Sequence, residues 1–321
     1  MHLGKSLGST LATLLFMAAP MAAQLGGPAL PEPARAAQGL IRQGKLEEAL
    51  AIYQKALADS PDSPALHSAT GTLLDLMGRS ADAHAQFARA IDLAGTPEAK
   101  AQQERAMAMS YAFAGDCQST VKYEQMTIAY WATREQDDPG NAFYQEGEMA
   151  DEAARVCIDN GDLDAAGKWY KAGHDYGLKQ PGITPVLHDL WEFRWEHAQA
   201  RIAARRGDKA GAQQHVAAAR AILDQDDQLA HGSGRGENQS QFIPYLTGYA
   251  ALYLGDYKPA ADDLAKANQN DPFVECLLGE AYEKLGEKDK AMECYRRAAA
   301  TTAHNPPAAF ARPFARKKLG E

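Results

Sequence analysis

The chain has 321 residues, of which 45% are hydrophobic and 23% charged, so it can bury a core and is not expected to be disordered, collagen-like or of low complexity. It carries 33 basic and 42 acidic residues, and the resulting net charge of −9 disfavours nucleic acid as a partner. This length allows two ordinary domains or one long array of small units.

The N-terminus has the layout of a secretory signal peptide. Lys5 precedes an apolar run from Leu11 to Ala19, which is short for a membrane span, and small residues follow near Ala23. We expect a cleaved signal over residues 1–23, with an uncleaved N-terminal anchor as the alternative, and a flexible Gly/Pro/Ala linker over residues 24–35. The mature protein is therefore predicted to be periplasmic or secreted, from a bacterial source, without stable membrane insertion.

From Ala36 onward, alanines and large apolar residues recur three and four positions apart, which predicts an all-α fold. A segment with Gly, then Ala five residues later, then an aromatic residue four after that, occurs at Gly44 and again 34 residues later at Gly78. Similar segments start at Gly115, Gly161, Gly207, Gly255 and Gly286. The copy at Gly115 is the weakest, because Thr120 and Glu124 replace the expected Ala and aromatic residue.

This pattern resembles the tetratricopeptide repeat (TPR) family, whose period is 34 residues. The resemblance implies a TPR-like α-solenoid of about seven helix-turn-helix units over residues 36–321. Its expected parts are N-terminal repeats at 36–131, longer irregular helix pairs at 132–240, C-terminal repeats at 241–303 and a capping helix at 304–321. Small side chains at matched offsets would let paired helices approach closely; they are Ala49, Ala83, Ala260 and Ala291.

The sequence contains no H-E-x-x-H, G-x-S-x-G or Walker motif, so we assign no catalytic residue, no metal site and no cofactor. The densest group of aromatic and imidazole side chains could line a pocket, but a core position is favoured; it comprises His188, Trp191, Trp195 and His197. The cysteines permit three disulfide pairings, or they are buried free thiols; they are Cys117, Cys157, Cys276 and Cys294.

The resemblance also implies a concave surface, lined by the first helix of each pair, on which TPR arrays commonly hold peptides. Residues three and four apart give that surface an acidic face, followed by a basic and an aromatic one. The acidic face comprises Glu148, Asp151, Arg155 and Asp159. The predicted ligand-binding groove comprises Arg194, His197, Arg201, Arg205, Phe242, Tyr245, Tyr249 and Tyr253. These faces suit an extended partner with an acidic group near an apolar anchor. Alternatively, the arginines form a solvated face and the tyrosines pack between repeats.

The predicted function is a non-enzymatic scaffold of the bacterial cell envelope that binds a protein or peptide in this groove. Chaperone tails are not the expected ligand, because the relevant positions of the first two copies hold Ala34, Gln38, Ser68 and Thr72. One alternative is a structural subunit of an envelope assembly. Another is an enzyme with a pocket in the central helices, where His197, Arg201 and acidic groups would converge. The sequence does not predict which partner binds or what the oligomeric state is.

Overall fold

A computed structural model describes residues 30–234 and 236–321, so the predicted signal peptide at 1–23 lies outside the described residues. These residues form sixteen α-helices and one short 3-10 helix (Gln239–Phe242), and they contain no strand. The helices are α1 (Glu32–Arg42), α2 (Leu46–Asp59), α3 (Pro64–Leu76), α4 (Ser80–Asp92), α5 (Pro97–Phe113), α6 (Cys117–Ala132), α7 (Pro139–Asp159), α8 (Leu163–Gly177), α9 (Pro185–Arg205), α10 (Lys209–Gln225), α11 (Asp227–His231), α12 (Ile243–Tyr253), α13 (Tyr257–Leu264), α14 (Pro272–Lys284), α15 (Lys288–Ala299) and α16 (Pro306–Leu319).

The helices pair into seven consecutive hairpins, from α1–α2 to α14–α15, with the short α11 between the fifth and sixth hairpins. The predicted all-α solenoid of about seven units is therefore confirmed. Helices α7 and α9 have 21 residues each, so the central pairs are long. Helix α1 begins at Glu32, inside the predicted linker 24–35, and Ala34 is fully buried, so the first hairpin starts before residue 36.

Proline and glycine determine where each hairpin starts and turns. The first helix of every hairpin has a proline in its first turn, where the missing N–H removes no hydrogen bond. The seven predicted turn glycines all have positive φ, between 72° at Gly115 and 89° at Gly161. Because side chains disfavour this left-handed backbone, glycine is the suitable residue at these turns.

Small residues lie at the helix crossings, as the repeat pattern predicts. The four matched alanines, Ala49, Ala83, Ala260 and Ala291, are at most 2% exposed. Glycines of the first helices approach the second helices just as closely. A Cβ atom on Gly279 would lie 2.6 Å from the Tyr295 ring, and one on Gly71 would lie 2.7 Å from the Phe87 ring. In these two hairpins, a small residue thus faces a large one.

Helix α16 corresponds to the predicted capping helix at 304–321, but it does more than cap the last hairpin. It packs on α14 and α15 and also reaches α5 and α7 in the first half of the chain. Just before it, His304 Nε2 lies 2.9 Å from Asp75 Oδ2, and within it Arg312 Nε donates to the Leu76 carbonyl at 2.7 Å. Apart from α15, the helices that it contacts are first helices of their hairpins. The C-terminal helix therefore packs on the first helices α5 and α7 and is hydrogen-bonded to the end of α3.

Cys117 and Cys157 form a disulfide that joins the start of α6 to α7, with Cα atoms 4.8 Å apart. Cys276 and Cys294 are buried free thiols, and Cys276 Sγ lies 3.3 Å from the Ala311 carbonyl of α16. The sequence left three disulfide pairings open, and the packing of α6 against α7 decides which one forms. Across the described part of the chain, no helix is both long enough and apolar enough to cross a membrane.

Candidate functional site

Seven of the eight predicted groove residues lie on the inner helices α9 and α12, which pack against each other. The eighth, Phe242, ends the 3-10 helix and is 39% exposed. The other seven do not form separate open faces. Arg194 turns toward the acidic residues of α7, whereas Arg201 and Arg205 stack on the tyrosines of α12.

Arg201 lies at the centre of this arrangement and is only 3% exposed. It donates to Asp159 Oδ1 and to the Tyr170 hydroxyl, both at 2.9 Å. Its guanidinium carbon is 4.7 Å from the Tyr249 ring centroid and 5.9 Å from that of Tyr245. An arginine in this position is stabilised by one ion pair and by cation–π contacts.

Arg155, from α7, completes the cluster from the opposite side. Its Nε lies 3.7 Å from Asp159 Oδ2, and its guanidinium carbon is 4.8 Å from the Phe273 ring centroid on α14. A side chain of α7 thus reaches an aromatic ring of α14. We call Arg155, Asp159, Arg201, Tyr245 and Tyr249 the arginine–tyrosine cluster.

Several polar atoms of the cluster are buried without a close hydrogen-bond partner. Four buried polar atoms have no hydrogen-bond partner among the described residues: Arg155 Nε, Arg201 Nε and the hydroxyls of Tyr245 and Tyr249. The two arginine nitrogens are donors, whereas each tyrosine hydroxyl can donate or accept, and that of Tyr249 lies beside Arg201. Burial raises the pKa of Tyr249, so its hydroxyl keeps its proton at neutral pH.

A partly exposed rim surrounds the cluster. The Arg155 side chain is 24% exposed, and His197, Arg205 and Tyr253 are half-buried. Arg205 donates to the Ile158 carbonyl at 2.8 Å and lies 4.4 Å from the Tyr253 ring centroid. Burial, and then the charges of Arg201 and Arg155, hold the pKa of His197 well below 6.5, so this imidazole is neutral.

The predicted acidic face continues along α7 toward α5 and α9. Arg194 pairs with Glu148, and its Nη1 lies 3.8 Å from Asp151 Oδ2. Burial raises the pKa of Asp151 to about 7 despite Arg194. Glu124, from α6, is fully buried and lies beside Glu152 of α7. Burial, and then the nearby Glu152, raise its pKa well above 4.5.

Direct ligand access is not available at every predicted groove position. Arg201 and Tyr249 are buried against each other, because the acidic, basic and aromatic faces meet inside a tightly curved array. Ligand contact at the rim residues stays a prediction. The sequence analysis placed Arg155 in the acidic face but did not predict its contacts with Asp159 and Phe273, although Arg155 is the single cation in that face. It also missed Phe273 of α14.

The aromatic and imidazole group predicted to be core is confirmed at Trp191, which is fully buried against Gly147 and Gly177. His188 is exposed and bonds to Asp189. Within residues 30–234 and 236–321, no three His, Cys, Asp or Glu side chains are arranged to hold a metal ion. Arg201 does contact Asp159, whereas two surface clefts, of about 460 and 230 Å³, are lined by other residues.

Two protein-family models match this chain: TPR repeat over residues 39–78, and tetratricopeptide repeat over residues 276–302. With the repeated hairpins described above, these matches identify tetratricopeptide repeats in this chain. A TPR repeat-containing protein of Methanocaldococcus jannaschii is 37% identical over 59 residues, which is 18% of this chain and 19% of that relative's length.

Two solved structures are similar along most of their length. A tetratricopeptide repeat protein from Parabacteroides merdae matches with a TM-score of 0.47 and 13% identity, over 88% of this chain and 97% of that one. Yeast Tom70 matches with a TM-score of 0.35 and 10% identity, over 90% of this chain and 88% of that one.

Proposed function

We propose that this protein is a non-enzymatic scaffold of the bacterial cell envelope that binds a protein or peptide at the rim of the arginine–tyrosine cluster. Tetratricopeptide repeats in general indicate a protein-interaction scaffold. The observation that carries the finer proposal is that α16 packs on α5 and α7, whereas the rim stays partly exposed. A ligand on the inner side would therefore contact Arg155, His197, Arg205 and Tyr253.

The disulfide supports the proposed compartment. Disulfides persist in oxidising spaces such as the periplasm and are rare in the cytosol. Cys117 and Cys157 lie on adjacent helices and are bonded. The predicted signal peptide, which would direct export, is consistent with this pairing.

Neither alternative function is favoured by a specific feature. Among the described residues, Met126 and Phe242 are the only large apolar side chains that are exposed, so no extended apolar outer surface suggests an assembly subunit. His197, Arg201 and Asp159 do not line the two surface clefts of about 460 and 230 Å³.

Export can be tested by expressing the full chain in a bacterial host and sequencing the N-terminus of the protein from the periplasmic fraction. We expect the mature chain to begin near Gln24. Retention in the cytoplasm with residues 1–23 attached would contradict the compartment.

Binding can be tested by affinity capture from periplasmic extract with the mature protein and two variants. Arg205→Gln removes a rim charge, whereas Arg206→Gln removes the charge of the next residue, which is exposed and pairs with Asp164. We expect partners recovered by the wild type and by Arg206→Gln to be lost with Arg205→Gln. Equal recovery by both variants, with unchanged helical circular dichroism, would contradict a ligand at the rim.

A further inference from the structure

Helices α6 and α7 pack against each other where the third hairpin meets the fourth, and we call this contact the α6–α7 joint. The residues that face each other rise in number along the first helix and fall along the second, so the two helices are antiparallel. From one end of the joint to the other, the facing pairs are Cys117 with Cys157, Glu124 with Glu152, and Glu135, in the turn after α6, with Glu146. One disulfide and two pairs of acids therefore connect the hairpins.

Each pair of acids contains one carboxyl group that water does not reach. Glu124 and Glu146 are both 0% exposed, and each faces its partner closely enough for a hydrogen bond. Two ionised carboxylates side by side in such surroundings repel each other, whereas a protonated carboxyl group donates to its neighbour. Each pair therefore stabilises the joint only while its two acids share a proton.

Cations near the first pair do not balance its acids. Arg105 Nε of α5 donates to Glu152 Oε2 at 2.9 Å, which satisfies one of the two carboxylates. The other charged groups on this side are Glu148 and Asp151 of α7 and Arg194 of α9, which pairs with Glu148. Four acids thus face two arginines, so this group is neutral only when it binds two protons.

The second pair has still less compensation. The groups that face it from α8 and from the segment after α8 are Tyr176 and Lys179. Burial, and then Glu135, raise the pKa of Glu146 to about 7, and the opposing effect of Lys179 is smaller. This acid therefore changes its protonation between mildly acidic and mildly alkaline solution.

We propose that the α6–α7 joint is a pH-sensitive device, which holds the third and fourth hairpins tightly together while its acid pairs share protons and loosens when both acids of a pair are ionised. The disulfide and the turn at residues 133–138 hold the two ends of the joint, so the loosening stays local. Helix α16 packs on α5 and α7, which belong to the two hairpins that the joint connects, so its docking responds as well. The inference goes beyond the proposed function and does not depend on a ligand.

The direction of the effect follows from linkage. An acid whose pKa is higher in the closed joint than in the loosened one favours the closed joint at low pH, and this preference is lost as the pH rises. For Glu146 the change runs from its ordinary value of 4.5 to about 7. A difference of that size shifts the equilibrium toward the loosened joint by up to about 300-fold.

Hydrogen exchange of the disulfide-bonded protein at about pH 5 and about pH 8 tests the joint. Protection factors are compared, because they are corrected for the faster intrinsic exchange in alkaline solution. We expect the amides of α6 and α7 to lose at least about tenfold in protection at the higher pH, while those of α14 keep theirs.

Two double variants assign the effect to the acid pairs. Glu124→Gln with Glu146→Gln replaces the buried acid of each pair by an amide, which still donates to its neighbour and does not ionise. Asp137→Asn with Asp164→Asn is the matched control, because it removes two exposed acids from the turn before α7 and from α8. We expect the first variant to keep its protection at about pH 8 and the second to lose it like the wild type.

Three results would overturn the proposal. The first is a wild type whose α6 and α7 are equally protected at both pH values, and this result needs no variant to fold. The second is an equal loss of protection in α14, which would indicate global destabilisation in place of a local joint. The third is a glutamine variant that loses protection as the wild type does, or an asparagine control that does not.

Discussion

Replacing Gly279 by alanine tests whether close helix crossings hold the repeats together. In a helix interior, Gly→Ala by itself stabilises by about 1 kcal/mol. At Gly279, however, the new Cβ would lie 2.6, 3.0 and 3.1 Å from three atoms of the Tyr295 ring. That ring is 2% exposed, and its hydroxyl donates to Glu283 Oε2 at 2.9 Å, so it has little freedom to move away.

Overpacking of this kind costs about 1 to 3 kcal/mol, which equals or exceeds the helix-propensity gain. The control is Gly167→Ala, whose Cβ would make only an ordinary contact, 3.9 Å from Ile202 Cδ1. We expect the free energy of unfolding of Gly279→Ala to be lower than that of Gly167→Ala by about 1 to 3 kcal/mol. Urea unfolding followed by circular dichroism measures this difference. A Gly279→Ala variant as stable as Gly167→Ala would refute the close crossing.

Three further changes test other parts of the molecule. Replacing both Cys117 and Cys157 by alanine removes a disulfide that closes a loop with a sequence separation of 40. We expect the free energy of unfolding, measured in urea, to fall by about 4 kcal/mol. A reductant should lower the stability of the wild type by the same amount and leave the double variant unchanged. Folding raises the pKa of Glu124, so the free energy of unfolding of the wild type falls as the pH rises above about 4.5. We expect Glu124→Gln to be more stable than the wild type by about 1 to 3 kcal/mol at neutral pH and equally stable in acid. A difference in stability that does not change with pH would contradict the buried acid. Arg312→Met removes the donors to the carbonyls of Leu76, Ala299 and Thr301. We expect the amide hydrogens of α16 to exchange faster, while those of α3 and α5 stay protected. Unchanged protection of α16 would contradict the role of Arg312 in docking this helix.

The hairpins could be predicted from the sequence because their signals are local. A turn glycine, an alanine five residues later and a large residue four after that act within one unit of about 34 residues. Such signals located all seven hairpins, including the weak copy in which Thr120 and Glu124 replace the usual residues. Thr120 is buried like the alanines, and its hydroxyl donates to the Asp116 carbonyl at 2.8 Å.

The candidate site could be predicted only in part. Helical spacing correctly grouped Arg201 and Arg205 on one helix face and Tyr249 with Tyr253 on another. It could not show that these two faces press against each other, because that depends on the angle between neighbouring hairpins. A pattern within one helix reports which residues share a face, but not what that face meets.

The sequence by itself determined the helical class, the order and spacing of the hairpins, and the small residues at the helix crossings. Only the tertiary structure decided that Cys117 pairs with Cys157, that Arg155 joins Arg201 around Asp159, and that α16 returns to the first half of the chain. The physical reason is curvature: small rotations between successive hairpins add up along the array, and their sum brings together residues as distant as Asp75 and His304.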